Sequence, residues 1–67
     1  MNISINGNIK QFDGENMTIS VLVVTLNLVG KRLAIEKNGE IVPRSQFDTA
    51  MLNDGDKLEI VSAVGGG

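Results

Sequence analysis

Residues 17–30 read MTISVLVVTLNLVG, and whether this segment is a helix or a strand decides the fold. Its many β-branched residues favour a strand. The spacing of its apolar residues favours an α-helix instead, because at helical spacing they form a single face. That face consists of Ile19, Leu22, Val23, Leu26 and Val29. The segment is too long for a typical strand, and Thr18 and Gly30 are suitable as its N-cap and its stop, so we predict a helix.

An alternating segment before this helix predicts a β-hairpin. In residues 1–5, apolar and polar side chains alternate with the period of a half-buried strand. Asn6-Gly7 follows directly, and this pair is preferred in two-residue type I′ turns because both central positions need positive φ. Residues 8–12 are then expected to return as the second strand of the hairpin.

A second hairpin is predicted after the helix. Asn38-Gly39 separates two strand-like segments, LAIEK (33–37) and EIV (40–42). Pro43 has no N–H to donate to a neighbouring strand. The second strand should therefore end at Pro43 or lie at the edge of the sheet there.

The remaining segments predict a short helical turn, a reverse turn and a final strand. Ser45 with Asp48 three residues later resembles a capping pair, so the segment SQFDTAML is expected to contain a helical turn. Residues 53–56 read NDGD, which is typical of a turn. The last strand, KLEIVSAV, places Leu58, Ile60 and Val64 on one face.

This order of elements indicates an α+β fold in which one main helix packs across a mixed sheet of four to five strands. Such a packing hides the apolar face of the helix and one face of the sheet. If the first and last strands lie side by side in parallel, the arrangement is a β-grasp. We expect one β-grasp domain over residues 1–64, followed by a flexible Gly-Gly-Gly tail at residues 65–67.

Composition argues against several classes of function. The chain of 67 residues has no Cys and no His, which removes thiolate nucleophiles, disulfides, zinc sites built on those ligands and the usual general base near neutral pH. A net charge of −2 and two aromatic residues argue against nucleic-acid binding. The DGD sequence at 54–56 lacks the other ligands of a calcium loop, so we expect no metal site there. Neither a signal pattern nor a membrane-length apolar run is evident, which favours a cytoplasmic protein with no membrane association.

Two segments carry a resemblance to a known family. NGEIVPR (38–44) and NDGDKLEIVSAVGGG (53–67) resemble the ThiS family, the sulfur carriers of thiamine biosynthesis. The resemblance extends over the whole chain in length and element order, and it is strongest from Leu33 onward. It implies a ubiquitin-like β-grasp fold and a protein cosubstrate rather than an enzyme.

The resemblance also implies a set of partners. An E1-like enzyme of the ThiF type is expected to adenylate the carboxylate of Gly67 with its own ATP and Mg²⁺, while the carrier binds no cofactor. A sulfur-donor enzyme, a cysteine desulfurase or a related protein, then supplies the sulfur that displaces AMP and leaves a C-terminal thiocarboxylate. A thiazole synthase of the ThiG type receives that sulfur.

Within the tail, each residue is expected to have its own role. Glycine has no Cβ, so Gly65 and Gly66 suit a narrow channel in a partner, while Gly67 is the residue that reacts. Three extended residues reach at most about 10 Å, so the folded body must dock near the mouth of that channel. Val64 is expected to anchor the tail where it leaves the last strand and to contact the partner.

Two surface features keep alternative interpretations. Arg44 is either a charged contact for a partner or a solvated charge at a strand terminus. Val21 and Val24, if they lie on the outer face of the helix, form either an exposed docking patch or a surface packed under a neighbouring loop. Of these two arrangements, we expect the packed one.

Two other functions compete with a thiamine sulfur carrier. The first is a carrier of another pathway, such as the small subunit of molybdopterin synthase, which shares the fold and a Gly-Gly end. The second is a ubiquitin-like modifier or a noncatalytic interaction domain, in which the tail is ligated to lysines or has no role.

Overall fold

The computed structural model describes residues 1–14 and 16–62. The elements in this part of the chain are β1 (Asn2–Ile5), β2 (Asn8–Gln11), β3 (Met17–Thr18), α1 (Ile19–Thr25), β4 (Leu33–Lys37), β5 (Glu40–Val42), a 3₁₀ helix (Arg44–Gln46), β6 (Met51–Leu52) and β7 (Lys57–Ser62). Among the described residues, five strands form a sheet in the order β2-β1-β7-β4-β5, and β3 pairs with β6 in a separate short ladder.

The sheet is mixed because β7 has neighbours of both directions. Strand β1 runs parallel to β7, with Ile5 opposite Leu58. Strand β4 runs antiparallel to β7, from the Leu33–Ser62 pair to the Lys37–Leu58 pair. The parallel pairing of the first and last strands confirms the predicted β-grasp arrangement.

Both predicted hairpin turns are confirmed. Asn6 and Gly7 have φ angles of 50° and 86°, and Asn38 and Gly39 have 51° and 87°. Positive φ at both central positions is the requirement of a type I′ turn, and Asn and Gly tolerate it better than other residues. The two turns set the registers of β1 with β2 and of β4 with β5.

Helix α1 begins as predicted and ends earlier than predicted. The Val21 N–H donates to the hydroxyl of the N-cap, Thr18, at 3.2 Å. At the other end Asn27 adopts a φ of 61°, and the N–H groups of Asn27 and Leu28 donate to the carbonyls of Val24 and Val23. This is a Schellman motif with Asn27 at its left-handed position.

The early end of α1 corrects two sequence predictions. Gly30 is not the stop, because Asn27 takes that role three residues before it. Val29 therefore lies beyond the helix and is 66% exposed, so it does not belong to the apolar face. Over residues 1–14 and 16–62, no helix is long and apolar enough to cross a membrane.

The segment after β5 also differs from the prediction. The helical turn is a 3₁₀ helix capped by Pro43, which makes no side-chain capping bond, so Ser45 and Asp48 do not form a capping pair. Asp48 instead accepts a hydrogen bond from the Ser20 hydroxyl on α1. The β3–β6 ladder, two residues on each strand, was not predicted.

The core lies between α1 and one face of the sheet. In the described part of the chain the buried side chains are all apolar, and they are Ile3, Ile5, Ile19, Leu22, Ile35, Leu52 and Leu58. Phe12, Phe47 and several other apolar residues pack around them while remaining partly exposed. The alternation of each strand thus directs one face of the sheet toward the helix and the other toward solvent.

Replacing Leu22 with alanine should lower the free energy of unfolding by about 2–5 kcal/mol, because this side chain is fully buried. Urea unfolding followed by circular dichroism measures the change. Val24→Ala is the matched control on the same helix: its side chain is 64% exposed, so the effect should stay within about 0.5 kcal/mol. Equal losses in the two variants would contradict the assignment of the buried helix face.

Candidate functional site

The candidate site is the end of the sheet from which the C-terminal residues continue. Gly65, Gly66, Gly67 and Val64, which the sequence predicts as tail and anchor, lie outside the described residues. Their predicted roles, and the domain boundary at residue 64, therefore stay predictions. The described chain reaches Ser62, the last residue of β7. The described part of the site therefore consists of the groups that hold the end of β7.

On one side, β1 supports only the first part of β7. The backbone register between the two strands ends at the Ile5–Leu58 pair. The Asn6 N–H then donates to the Leu58 carbonyl at 2.9 Å. Beyond this bond the chain turns away into the hairpin, so the backbone of β1 offers no further partner to β7.

The side chain of Asn6 continues the support where the backbone stops. Its Nδ2 donates to the Ile60 carbonyl at 3.0 Å, and the Ile60 N–H donates to its Oδ1 at 2.7 Å. The amide thus satisfies both backbone groups of Ile60, as a neighbouring strand would. The sequence predicted Asn6 as a turn residue only, and nothing in the local pattern identifies a partner 54 positions away.

On the other side, β4 pairs with β7 as far as the Leu33–Ser62 pair. A hollow of about 180 Å³ lies beside this end of the sheet, and we call it the tail-root hollow. It is lined by Ile5, Asn6, Leu26, Leu28, Leu33, Ile60 and Ser62. Strand β7 is therefore held on one edge by β4 as far as Ser62 and on the other edge as far as Ile60, next to an apolar hollow.

The sheet face that points away from α1 combines apolar and charged side chains, among them Lys57, which alternation places on the same face as Glu59. Ile9, Ile41 and Val61 on this face are 65–76% exposed. Glu36 on β4 and Glu59 on β7 are directly opposite each other in the register. Like charges in such a pair repel each other, so this arrangement does not serve the stability of the sheet.

The opposite side of the molecule carries an open cleft of about 570 Å³ between α1, the segment that follows it and the 3₁₀ helix. Three cationic side chains line it, those of Lys31, Arg32 and Arg44, and we call it the basic cleft. Arg44 thus lies on a concave surface together with two other cations. Arg44 is exposed, which agrees with both of its interpretations, partner contact and solvated charge.

The exposed valines of α1 correct another expectation. Val21 is 49% exposed and Val24 is 64% exposed, so neither packs under a loop. Val24 lines the basic cleft, whereas Val21 does not. The outer face of the helix is therefore an exposed apolar surface of which one part borders the cations.

The acidic turn at residues 53–56 is a structural turn. The Asn2 N–H donates to Asp54 Oδ1 at 2.6 Å, and the Asn53 N–H donates to Asp56 Oδ2 at 2.8 Å. Asp56 also accepts from the Asn38 side chain at 3.0 Å. Both carboxylates thus bind N–H donors, and in the described residues no cluster of acidic side chains is arranged to hold a metal ion.

A family model supplies the first comparison with known proteins. The model of the ThiS family matches residues 3–67 of this chain. A crystal structure of the thiamine biosynthesis protein ThiS from Geobacter metallireducens superposes with a TM-score of 0.86 at 33% sequence identity, and the match covers the whole of both chains. The fold and the sequence family therefore agree.

Two curated relatives differ in how much of their length is matched. The sulfur carrier protein ThiS of Bacillus subtilis is 32% identical, and the match covers 97% of this chain and 98% of that protein. The thiazole synthase of Paramagnetospirillum magneticum is 43% identical over the whole of this chain. The chain spans only 20% of the length of that synthase, so most of that protein has no counterpart here.

The Asn6 amide should protect the end of β7 from hydrogen exchange. Asn6→Gly keeps the positive φ of 50° and removes the side chain, so exchange of the Ile60 N–H should accelerate roughly tenfold as one hydrogen bond is lost. Amide exchange followed by NMR gives the rates residue by residue.

Asn38→Gly is the matched control, because Asn38 occupies the same position of the other Asn-Gly turn with a φ of 51°. Its Oδ1 accepts from the Lys57 N–H at 2.9 Å, at the opposite end of β7. This variant should accelerate exchange of the Lys57 N–H. Exchange of the Ile60 N–H should stay at the rate of the original chain. The same exchange pattern in both variants would exclude a local role for Asn6.

Proposed function

The chain belongs to the ThiS family, and on that premise we propose that it is a sulfur carrier for formation of the thiazole ring of thiamine. The observation that carries the proposal is the family match, which extends through the glycines to residue 67. Near full-length similarity to a sulfur carrier protein of the same family supports it.

The reactive group of the proposed carrier is the carboxylate of Gly67. A carboxylate is a poor electrophile because its negative charge repels nucleophiles. Attack of one carboxylate oxygen on the α-phosphorus of ATP releases pyrophosphate and forms an acyl adenylate, from which AMP is a good leaving group. Hydrosulfide then attacks the acyl carbon, AMP departs with the electron pair of the broken C–O bond, and the S–H proton is lost to solvent. Where the sulfur arrives as a persulfide of the donor enzyme, the first product is an acyl disulfide, and a thiol must cleave its S–S bond, forming a disulfide with the donor cysteine. The product is a thiocarboxylate on Gly67, reached through two easier steps instead of one difficult displacement.

The carrier itself requires no catalytic side chain for this chemistry. It has no Cys and no His, and its proposed contribution is an acyl group at the end of the chain. An E1-like adenylating enzyme provides ATP and Mg²⁺, and a sulfur-donor enzyme provides the sulfur. A thiazole synthase then accepts the sulfur, and the similarity to thiazole synthases supports a partner of that type. The carrier is thus a protein cosubstrate of these enzymes.

The folded body has the proposed task of presenting the tail. Gly65 and Gly66 pass through the channel of the partner, and Val64 anchors the point of exit. Ordering such residues on docking costs roughly 1–2 kcal/mol each, and contacts of the body with the partner must offset that cost. Asn6 supports Ile60 and β4 supports Ser62, so the described end of β7 is already held in place when a partner docks.

Incubation with the adenylating enzyme, ATP, Mg²⁺ and a sulfur donor should increase the mass of the intact protein by the difference between one sulfur and one oxygen. Intact-mass spectrometry measures this change, and omission of ATP should abolish it. A known ThiS protein in the same mixture verifies that the enzymes are active. If that protein gains sulfur while this chain keeps its mass, the proposed function is wrong.

A variant with one alanine appended after Gly67 is the matched control. Its fold and docking surfaces are unchanged, but its terminal carboxylate is displaced by one residue and carries a Cβ, which a channel shaped for glycine should exclude. It should remain unmodified in the same assay. Sulfur incorporation into this variant at the rate of the original chain would contradict the role assigned to Gly67.

A further inference from the structure

The basic cleft is a preformed surface. Its wall is fixed by backbone hydrogen bonds between α1 and the segment after the 3₁₀ helix: Ser20 N–H donates to the Phe47 carbonyl at 2.9 Å, and Ile19 N–H donates to the Ala50 carbonyl at 3.1 Å. The Ser20 hydroxyl adds a bond to Asp48. A surface held in this way loses little conformational entropy when a partner binds to it.

The charge of the cleft opposes the charge of the chain as a whole. The protein has a net charge of −2 and six Lys and Arg residues. Three of these six cations line the cleft, together with the single carboxylate of Asp48. Because like charges repel, gathering cations on one concave surface is unfavourable for the isolated domain, and it favours an occupant that carries carboxylates.

Apolar side chains also line the cleft, and we refer to them as its floor and to the three cations as its rim. Val24 and Val29 are 64% and 66% exposed, and the partly buried Leu28, Leu33 and Phe47 also line it. Apolar and charged side chains on one surface are typical of a protein interface. The chemistry that fits is therefore a segment with an apolar side chain for the floor and acidic side chains for the rim.

The cleft is continuous with the place from which the tail leaves. Leu28 and Leu33 line both the basic cleft and the tail-root hollow, and that hollow reaches Ser62 at the end of β7. A protein seated in the cleft is thus next to the root of the tail. Because the five residues after Ser62 reach at most about 17 Å, a tail-receiving protein must contact the body near this end of β7.

We propose that the basic cleft docks an acidic surface segment, with an apolar side chain at its centre, of the thiazole synthase that receives the tail. This inference rests on the proposed function. The synthase is chosen over the adenylating enzyme because two thiazole synthases contain a segment similar to this chain, in one case 43% identical over its whole length. In such proteins the counterpart of this chain and the rest of the synthase occupy one polypeptide.

Charge reversal tests the rim. Arg32→Glu with Arg44→Glu changes the net charge from −2 to −6, two units for each exchanged residue. Binding to the thiazole synthase of the same organism, measured by calorimetric titration, should weaken roughly tenfold at low ionic strength, and the difference should shrink at high salt. Lys10→Glu with Lys57→Glu produces the same net charge at exposed sites outside the cleft, and it should change the affinity by less than about twofold.

Each outcome of the titration has a defined meaning. Equal weakening by the two double variants, or no weakening by either, overturns the proposal. Intact binding to the synthase with loss of thiocarboxylate formation assigns the cleft to the adenylating enzyme and also overturns it. Circular dichroism verifies that each variant folds. If a double variant does not fold, the single variants Arg32→Gln and Arg44→Gln are titrated in its place. Titration uses the unloaded carrier, so failure of the proposed function appears separately, in the mass of the original chain.

Two matched substitutions on α1 test whether the apolar floor of the cleft contributes to binding. Val24→Ser should weaken binding to the synthase about fivefold at both salt concentrations, because it removes apolar area from the interface. Val21→Ser introduces the same residue on the same helix outside the cleft, and it should leave the affinity unchanged. Equal effects of the two substitutions would show that the cleft floor is not part of the interface.

Discussion

Strand β7 lies in the middle of the sheet, with β1 parallel on one side and β4 antiparallel on the other. Two parallel strands cannot be joined by a tight turn, so the chain between them must cross over the sheet, and α1 lies within this crossover. The crossover covers the apolar face that Ile3, Ile5 and Leu58 present together. Residues from the two ends of the sequence thus share one core.

The parts of this fold that depend on neighbouring residues could be predicted from the sequence. Asn6-Gly7 and Asn38-Gly39 define their turns because positive φ is a local requirement, and Thr18 caps α1 within one turn. The end of α1 was placed at Gly30 because glycine is the commoner left-handed residue, yet Asn27 reaches that conformation first. The β3–β6 ladder has two residues per strand, too few to show a period, and its existence depends on packing between distant segments.

In the candidate site, too, the features that depend on neighbouring residues could be predicted, and those that depend on distant residues could not. The roles predicted for Gly65, Gly66 and Gly67 rest on resemblance and chemistry and stay predictions, and the family match extends over those residues. The bond pair between Asn6 and Ile60 was missed because the two residues are 54 positions apart, and a turn Asn looks the same whether or not its amide has a partner. The exposure of Val21 and Val24 differs from the prediction, because the sequence does not show which segment, if any, covers the outer face of the helix.

The two solvent-facing sides of the domain have opposite chemistry. The outer sheet face carries the Glu36–Glu59 pair among exposed Ile and Val residues, and the helix side carries the basic cleft. A carrier of the proposed kind must release its tail from one enzyme before another can receive it, so strong binding to both through one surface would slow the exchange. Two chemically different faces would let each partner be recognised by its own complementary surface. Three of the six cations of the chain line the cleft, and this concentration of positive charge is the feature that separates the two sides.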